Sequence, residues 1–152
     1  MVLLAAVGVQ PSVVAEPTGD QSAASPEVYT PGLGDIMGAI QVRHAKLWFA
    51  GKSKNWELAA YELDEINEGF ADAARFQPDF KGHPIAKLVK DITTAPISGL
   101  QAAIAAQSAV QFAKAFNRLT AACNSCHREN GFAFISIQRP TAPPFTNQRF
   151  EP

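Results

Sequence analysis

The residues whose types and spacing most clearly allow chemistry are Cys123-Asn124-Ser125-Cys126-His127, a C-x-x-C-H run that uses both cysteines of this 152-residue chain. Two thiols at this spacing can each add to one of the two vinyl groups of a haem, forming two thioethers. An imidazole directly after the second thiol can reach the iron from the same side. On a helix, Cys123 and His127 lie four residues apart and share a face. Cys123 and Cys126 are therefore expected to attach one haem c covalently, with His127 as the proximal axial ligand of its iron. Other chemistries use the same letters. A thioredoxin-like redox pair requires a strand ahead of its helix, and no strand pattern precedes Cys123. A zinc site requires two more ligands, and the remaining histidines, His44 and His83, lack the spacing. A structural disulfide across so short a loop stabilises little.

Four helical segments are available to position this motif. The first is expected over about residues 35–50, with Asp35 as N-cap and Gly51 as stop. Leu33, Ile36, Met37, Ile40, His44, Leu47 and Trp48 recur along it at helical spacing. The second is expected over about 56–76 behind Asn55 as N-cap. Its stripe is Trp56, Ala60, Leu63, Ile66, Phe70 and Ala74, and Glu57, Glu62, Asp64, Glu65, Glu68 and Asp72 form a wet acidic face. The third begins near Pro84, which suits a first helical position. Ile85, Leu88, Val89 and Ile92 point inward, Pro96 is expected to kink or divide the helix, and the pattern resumes through Leu100, Ala103 and Ile104. The fourth runs from Ser108 as N-cap to about Asn130, where Gly131 can end it in a left-handed conformation. Phe112, Ala113, Phe116, Leu119, Thr120, Cys123 and His127 share one side of it.

Four amphipathic helices with short connections imply an all-α fold, an antiparallel up-down-up-down four-helix bundle over residues 35–131. Residues 132–152 hold four prolines and four phenylalanines and cannot form a helix. They are expected as an extended Pro/Phe-rich C-terminal tail, with Phe132, Phe134 and Ile135 packed on the bundle. Residues 1–15 carry no charge and end in Val13-Val14-Ala15, which suits signal-peptidase cleavage after Ala15, although the usual basic start is missing. Residues 16–34, rich in Pro, Ser, Thr, Gly and Ala, read as a flexible linker. Apolar residues at 47% and charged residues at 18% are an ordinary globular balance. A net charge of −1 offers no electrostatic case for nucleic acid. No apolar run approaches the roughly 20 residues that span a bilayer.

A four-helix bundle with C-x-x-C-H near the end of its last helix resembles the cytochrome c-prime family. The resemblance covers about residues 33–131, and Phe112, Phe116, Leu119 and the run from Cys123 to Arg128 fit the family's last helix. The tail after Phe132 is an addition to the family pattern. The resemblance implies a periplasmic haem protein of one of two subtypes. One is high-spin, with an open sixth site that binds nitric oxide or carbon monoxide. The other is low-spin, with a methionine of the first helix on the iron, and transfers electrons. Bundles of the family often form homodimers through their first two helices.

The candidates for the sixth iron position are Met37, His44, His83 or none. The end of the fourth helix lies beside the start of the first in an antiparallel bundle, so Met37 and His127 come to nearly the same height. His44 lies seven residues further along, about 10 Å at 1.5 Å per residue. His83, between Gly82 and Pro84, is expected to face solvent. Met37 is the chain's only methionine besides the first residue and stands where the low-spin subtype has its ligand. Gln41, one turn on, would face the haem edge, while Arg43 is two turns out and largely off that face for pairing with a propionate. The expected function is electron transfer by a His/Met-ligated haem in the periplasm, with a redox protein as partner. The alternative is a five-coordinate haem protein that binds nitric oxide or carbon monoxide. An enzyme such as a peroxidase would require a distal acid–base pair, and none stands out.

Overall fold

The computed structural model describes residues 29–152. The expected leader over 1–15, and the expected linker up to residue 28, lie outside them. Four helices follow one another: α1 (Leu33–Lys52), α2 (Trp56–Phe76), α3 (Ile85–Ala105) and α4 (Ala109–Glu129). Among the described residues there is no strand beyond a single bridge between Phe80 and His83. Each helix packs on the next, and α1 meets α4 across the loosest of the four seams. The fold is the four-helix bundle that the apolar stripes demand. None of the described helices is long and apolar enough to cross a membrane.

Local chemistry explains the ends, sometimes differently from expectation. Asn55 and Ser108 are N-caps, accepting from the N–H groups of Leu58 and Gln111. Asp35 is not an N-cap: α1 starts at Leu33, and the Asp35 carboxylate, inside the first turn, accepts the Gly32 N–H at 3.3 Å and complements the helix dipole. Gly51 does not stop α1. It is buried within the helix, and a Cβ there would lie 2.2 Å from the ring of Phe112, so its role is close approach. Lys54, at φ 58°, ends the helix, with its N–H on the Gly51 carbonyl and that of Asn55 on the Ala50 carbonyl, a Schellman arrangement. Gly131, at φ 81°, ends α4 in the expected left-handed way.

Pro96 does not divide α3, which runs unbroken past it. A mid-helix proline costs about 3 kcal/mol. Burial of Ile85 and Val89 on one side, and of Ile97, Leu100 and Ile104 on the other, outweighs this at roughly 1.5–3 kcal/mol per aliphatic side chain. On α2 Leu63, Ile66 and Phe70 are buried as expected, but the buried alanines are Ala59 and Ala73, not Ala60 and Ala74, because steps of three and four residues outward from Leu63 and Phe70 return to those positions. Glu62 is not wet. It is 1% exposed and takes a hydrogen bond from Arg43 at 3.3 Å, while Arg43 also pairs with Glu65 at 2.8 Å. Burial pushes the Glu62 carboxyl up, against the pull of Arg43.

The two ends of the bundle differ. Where α1 ends and α4 begins, Trp48, Trp56, Phe112 and Phe116 fill the interior with ring centroids 5.0–6.3 Å apart. The other end holds a cleft. The tail leaves α4 at the cleft and runs back along α1 and α4 to the aromatic end. Arg139 lies 4.2 Å over the Trp48 ring and donates to Asn117. Phe150 is buried against Phe49. Of the three tail residues expected to pack, Phe132 is half-buried, whereas Phe134 is 79% and Ile135 42% exposed. A turn from Phe132 to Ile135, closed by the Ile135 N–H on the Phe132 carbonyl at 2.8 Å, directs Phe134 outward.

Candidate functional site

The site is assembled where α4 gives way to the tail. Left-handed Gly131 turns the chain so that the Phe132 N–H donates to the His127 carbonyl at 2.7 Å. The turn that follows brings the Ile135 carbonyl to His127 Nδ1 at 2.8 Å. A carbonyl can only accept, so the proton is on Nδ1 and the lone pair is on Nε2. Asn124, inside the C-x-x-C-H run, grips the same strand of tail: its Oδ1 accepts the Ile137 N–H at 2.7 Å and its Nδ2 donates to the Ile137 carbonyl at 2.8 Å. Asn130, buried one turn after Cys126, donates to the Cys126 carbonyl at 2.7 Å.

Cys126, His127, Asn130, Phe132, Ile135 and Ile137 border a cleft of about 300 Å³. Met37 and Gln41 of α1 and Cys123, Cys126 and His127 of α4 all line this one cavity. Most of the remaining wall is carbon, from α3 (Ile85, Leu88, Ile92), Phe80 and Phe132. His83 is elsewhere, half-buried in the turn it shares with Phe80. Arg43 is also elsewhere, held by Glu62 and Glu65 on the α2 side.

His44 lines the cleft as well and is 4% exposed. Its Nε2 lies 2.8 Å from the Thr120 hydroxyl, which itself donates to the Phe116 carbonyl at 3.0 Å. Thr120 must therefore accept, which assigns the His44 proton to Nε2. Burial pushes the imidazole down to about 4. The same hydrogen bond marks the register of α1 against α4. Seven residues back from His44 along α1 and seven forward from Thr120 along α4 lead to Met37 and His127. Both steps are about two turns, so this pair returns to the same faces, level with each other across the cleft.

Burial disfavours the thiolate form of both cysteines. Both are free; burial pushes Cys123 up to about 11, and burial followed by the Glu129 charge raises Cys126. A dithiol redox centre works the other way, with a lowered thiol pKa. Among the described residues no three His, Cys, Asp or Glu side chains converge as a metal site of their own would require.

No family model, no curated protein and no solved structure matches this chain.

The donor set suits a covalently attached haem. Two thiols and an imidazole whose Nδ1 is bonded to a carbonyl line the cleft from one helix, Met37 lines it from another, and most of the wall is apolar. Sequence reasoning missed three contributors. Phe80 lies in a connection rather than on a helical stripe. The Ile135 carbonyl is a backbone group with no letter of its own. Asn124 occupies a position where the motif accepts any residue.

Proposed function

We propose that this chain is a mono-haem c-type cytochrome that carries electrons. In this reading Cys123 and Cys126 hold the haem through thioethers, His127 Nε2 is the proximal ligand and the Met37 sulfur is the distal one. Bound haem supplies one-electron exchange between ferric and ferrous iron, at a potential that a methionine ligand raises. The chain orients the imidazole, keeps water from the cofactor with the walls from α3 and Phe132, and surrounds it with a bundle that need not rearrange between oxidation states. The observation that carries the proposal is the His127 Nδ1–H bond to the Ile135 carbonyl at 2.8 Å. Metal-bound histidines usually hold a backbone carbonyl or carboxylate in this way, fixing the tautomer that ligates. Haem is attached outside the cytoplasm in bacteria, so the reading includes export to the periplasm and a redox protein as partner.

The test is expression in a host with haem c maturation machinery. Acid–acetone should leave the haem on the chain, and the mass should include it. The oxidised spectrum should be low-spin, with the weak far-red band of a methionine–iron bond, and added carbon monoxide should bind slowly or not at all. A chain without covalent haem would falsify the proposal. A high-spin spectrum with rapid carbon monoxide binding would replace electron transfer by gas binding and leave Met37 as a wall residue.

A further inference from the structure

We infer that Asn124 is a positioning residue for the proximal histidine, and that the C-terminal tail, through it, sets the reduction potential. The inference rests on the haem reading above and extends it to a segment outside the bundle. Three contacts pin the Ile135 carbonyl. On one side the Ile135 N–H is bonded to the Phe132 carbonyl at 2.8 Å. On the other, two residues on, both backbone groups of Ile137 are gripped by the Asn124 side chain. Between these fixed points the carbonyl takes the His127 Nδ1–H.

The two variable positions of the motif are not equivalent. Ser125 donates outward to Glu129 at 2.8 Å, whereas Asn124 holds the tail. A side-chain amide is suited to this, since it offers one donor and one acceptor side by side, as a neighbouring strand would. Residues 132–152 form no helix or strand of their own, so this stretch depends on such anchors. A hydrogen bond from Nδ1–H to a carbonyl makes the imidazole a stronger donor to iron. Stronger donation favours the ferric state, so the grip of Asn124 lowers the potential and its loss raises it.

The test uses the full-length haem-loaded protein. Potentials are measured by spectroelectrochemistry, and exchange of the His127 Nδ1 proton with solvent is followed by NMR. Asn124→Ala should raise the potential and speed the exchange roughly tenfold, about what one or two net hydrogen bonds are worth. Ile137→Pro removes the N–H that Asn124 accepts without touching the C-x-x-C-H run, and should shift the potential in the same direction even where Asn124→Ala impairs haem attachment. Phe150→Ala, which loosens only the far end of the tail, should leave the potential unchanged. Equal potentials and exchange rates in wild type and Ile137→Pro, with haem attached, overturn the role of the tail and leave the cytochrome reading intact. Wild-type protein without covalent haem overturns both.

Discussion

His44 should make the protein sensitive to mild acid. It is 4% exposed and bonded through Nε2–H to Thr120, and burial holds it at about 4, against an ordinary 6.5. The folded state therefore prefers the neutral ring. Above pH 6.5 both states are neutral and nothing is lost. As the pH falls through 6.5 the unfolded chain binds a proton that the folded chain refuses, so stability drops until about pH 4, where the folded state binds it too. At pH 4.5 the linkage amounts to roughly 2–3 kcal/mol, from the two pH units below 6.5 at about 1.36 kcal/mol each, less a little for partial protonation of the folded form. Carboxylates titrate in the same range, Glu62 among them, so the comparison must be differential. Urea unfolding of the haem-loaded wild type and His44→Phe at pH 7.5 and pH 4.5 isolates the term, because the replacement retains an aromatic ring beside Phe116 and does not titrate. Wild type should lose roughly 2–3 kcal/mol more than the variant over this interval. Equal losses, or an NMR titration of the His44 ring near its ordinary value, would show that His44 is not held neutral by burial.

On the proposed function, Met37→Ala should keep the haem attached through Cys123 and Cys126 but turn the spectrum high-spin, admit carbon monoxide rapidly and lower the potential, because a soft thioether favours ferrous iron; an unchanged spectrum removes Met37 from the iron. Gly51→Ala pits two effects against each other: helix propensity favours alanine by about 1 kcal/mol, while a Cβ placed 2.2 Å from the Phe112 ring, which Trp48, Trp56 and Phe116 surround, overpacks the core at about 1–3 kcal/mol or more. Net destabilisation in thermal melts is expected, and a higher Tm would contradict the close approach. Protein purified from its native host should begin at Glu16 by N-terminal sequencing, and an uncleaved start would argue against the leader.

What could be read from the chain alone was local or periodic. The chemistry proposed for the C-x-x-C-H run rests on five consecutive letters. The stripes through Ile36, Ile40 and Leu47, through Leu63, Ile66 and Phe70, and through Phe112, Phe116 and Leu119 repeat at the helical period, so four helices and a bundle follow from burying them. Asn55, Ser108 and Gly131 act within one turn of themselves and were legible for the same reason. Asp35 and Gly51 misled because their residue types suit more than one helix position, and only packing chooses among them; Phe112, the neighbour that requires Gly51 to be small, lies on another helix. Glu62 looked like one more solvated acid until Arg43 of α1 came alongside it.

The level of Met37 with His127 was expected from topology, but the register behind it is marked by one interhelical hydrogen bond, His44 to Thr120. The tail was least legible. It lacks a repeating pattern because its partners are spread over two helices, Asn117 and Asn124 on α4, Trp48 and Phe49 on α1. A chain without periodicity takes its path from the surface on which it lies. The hydrogen bond of His127 illustrates this most directly: its acceptor is a backbone carbonyl, identical at every residue, and only the turn after Gly131 and the grip of Asn124 select the one at Ile135.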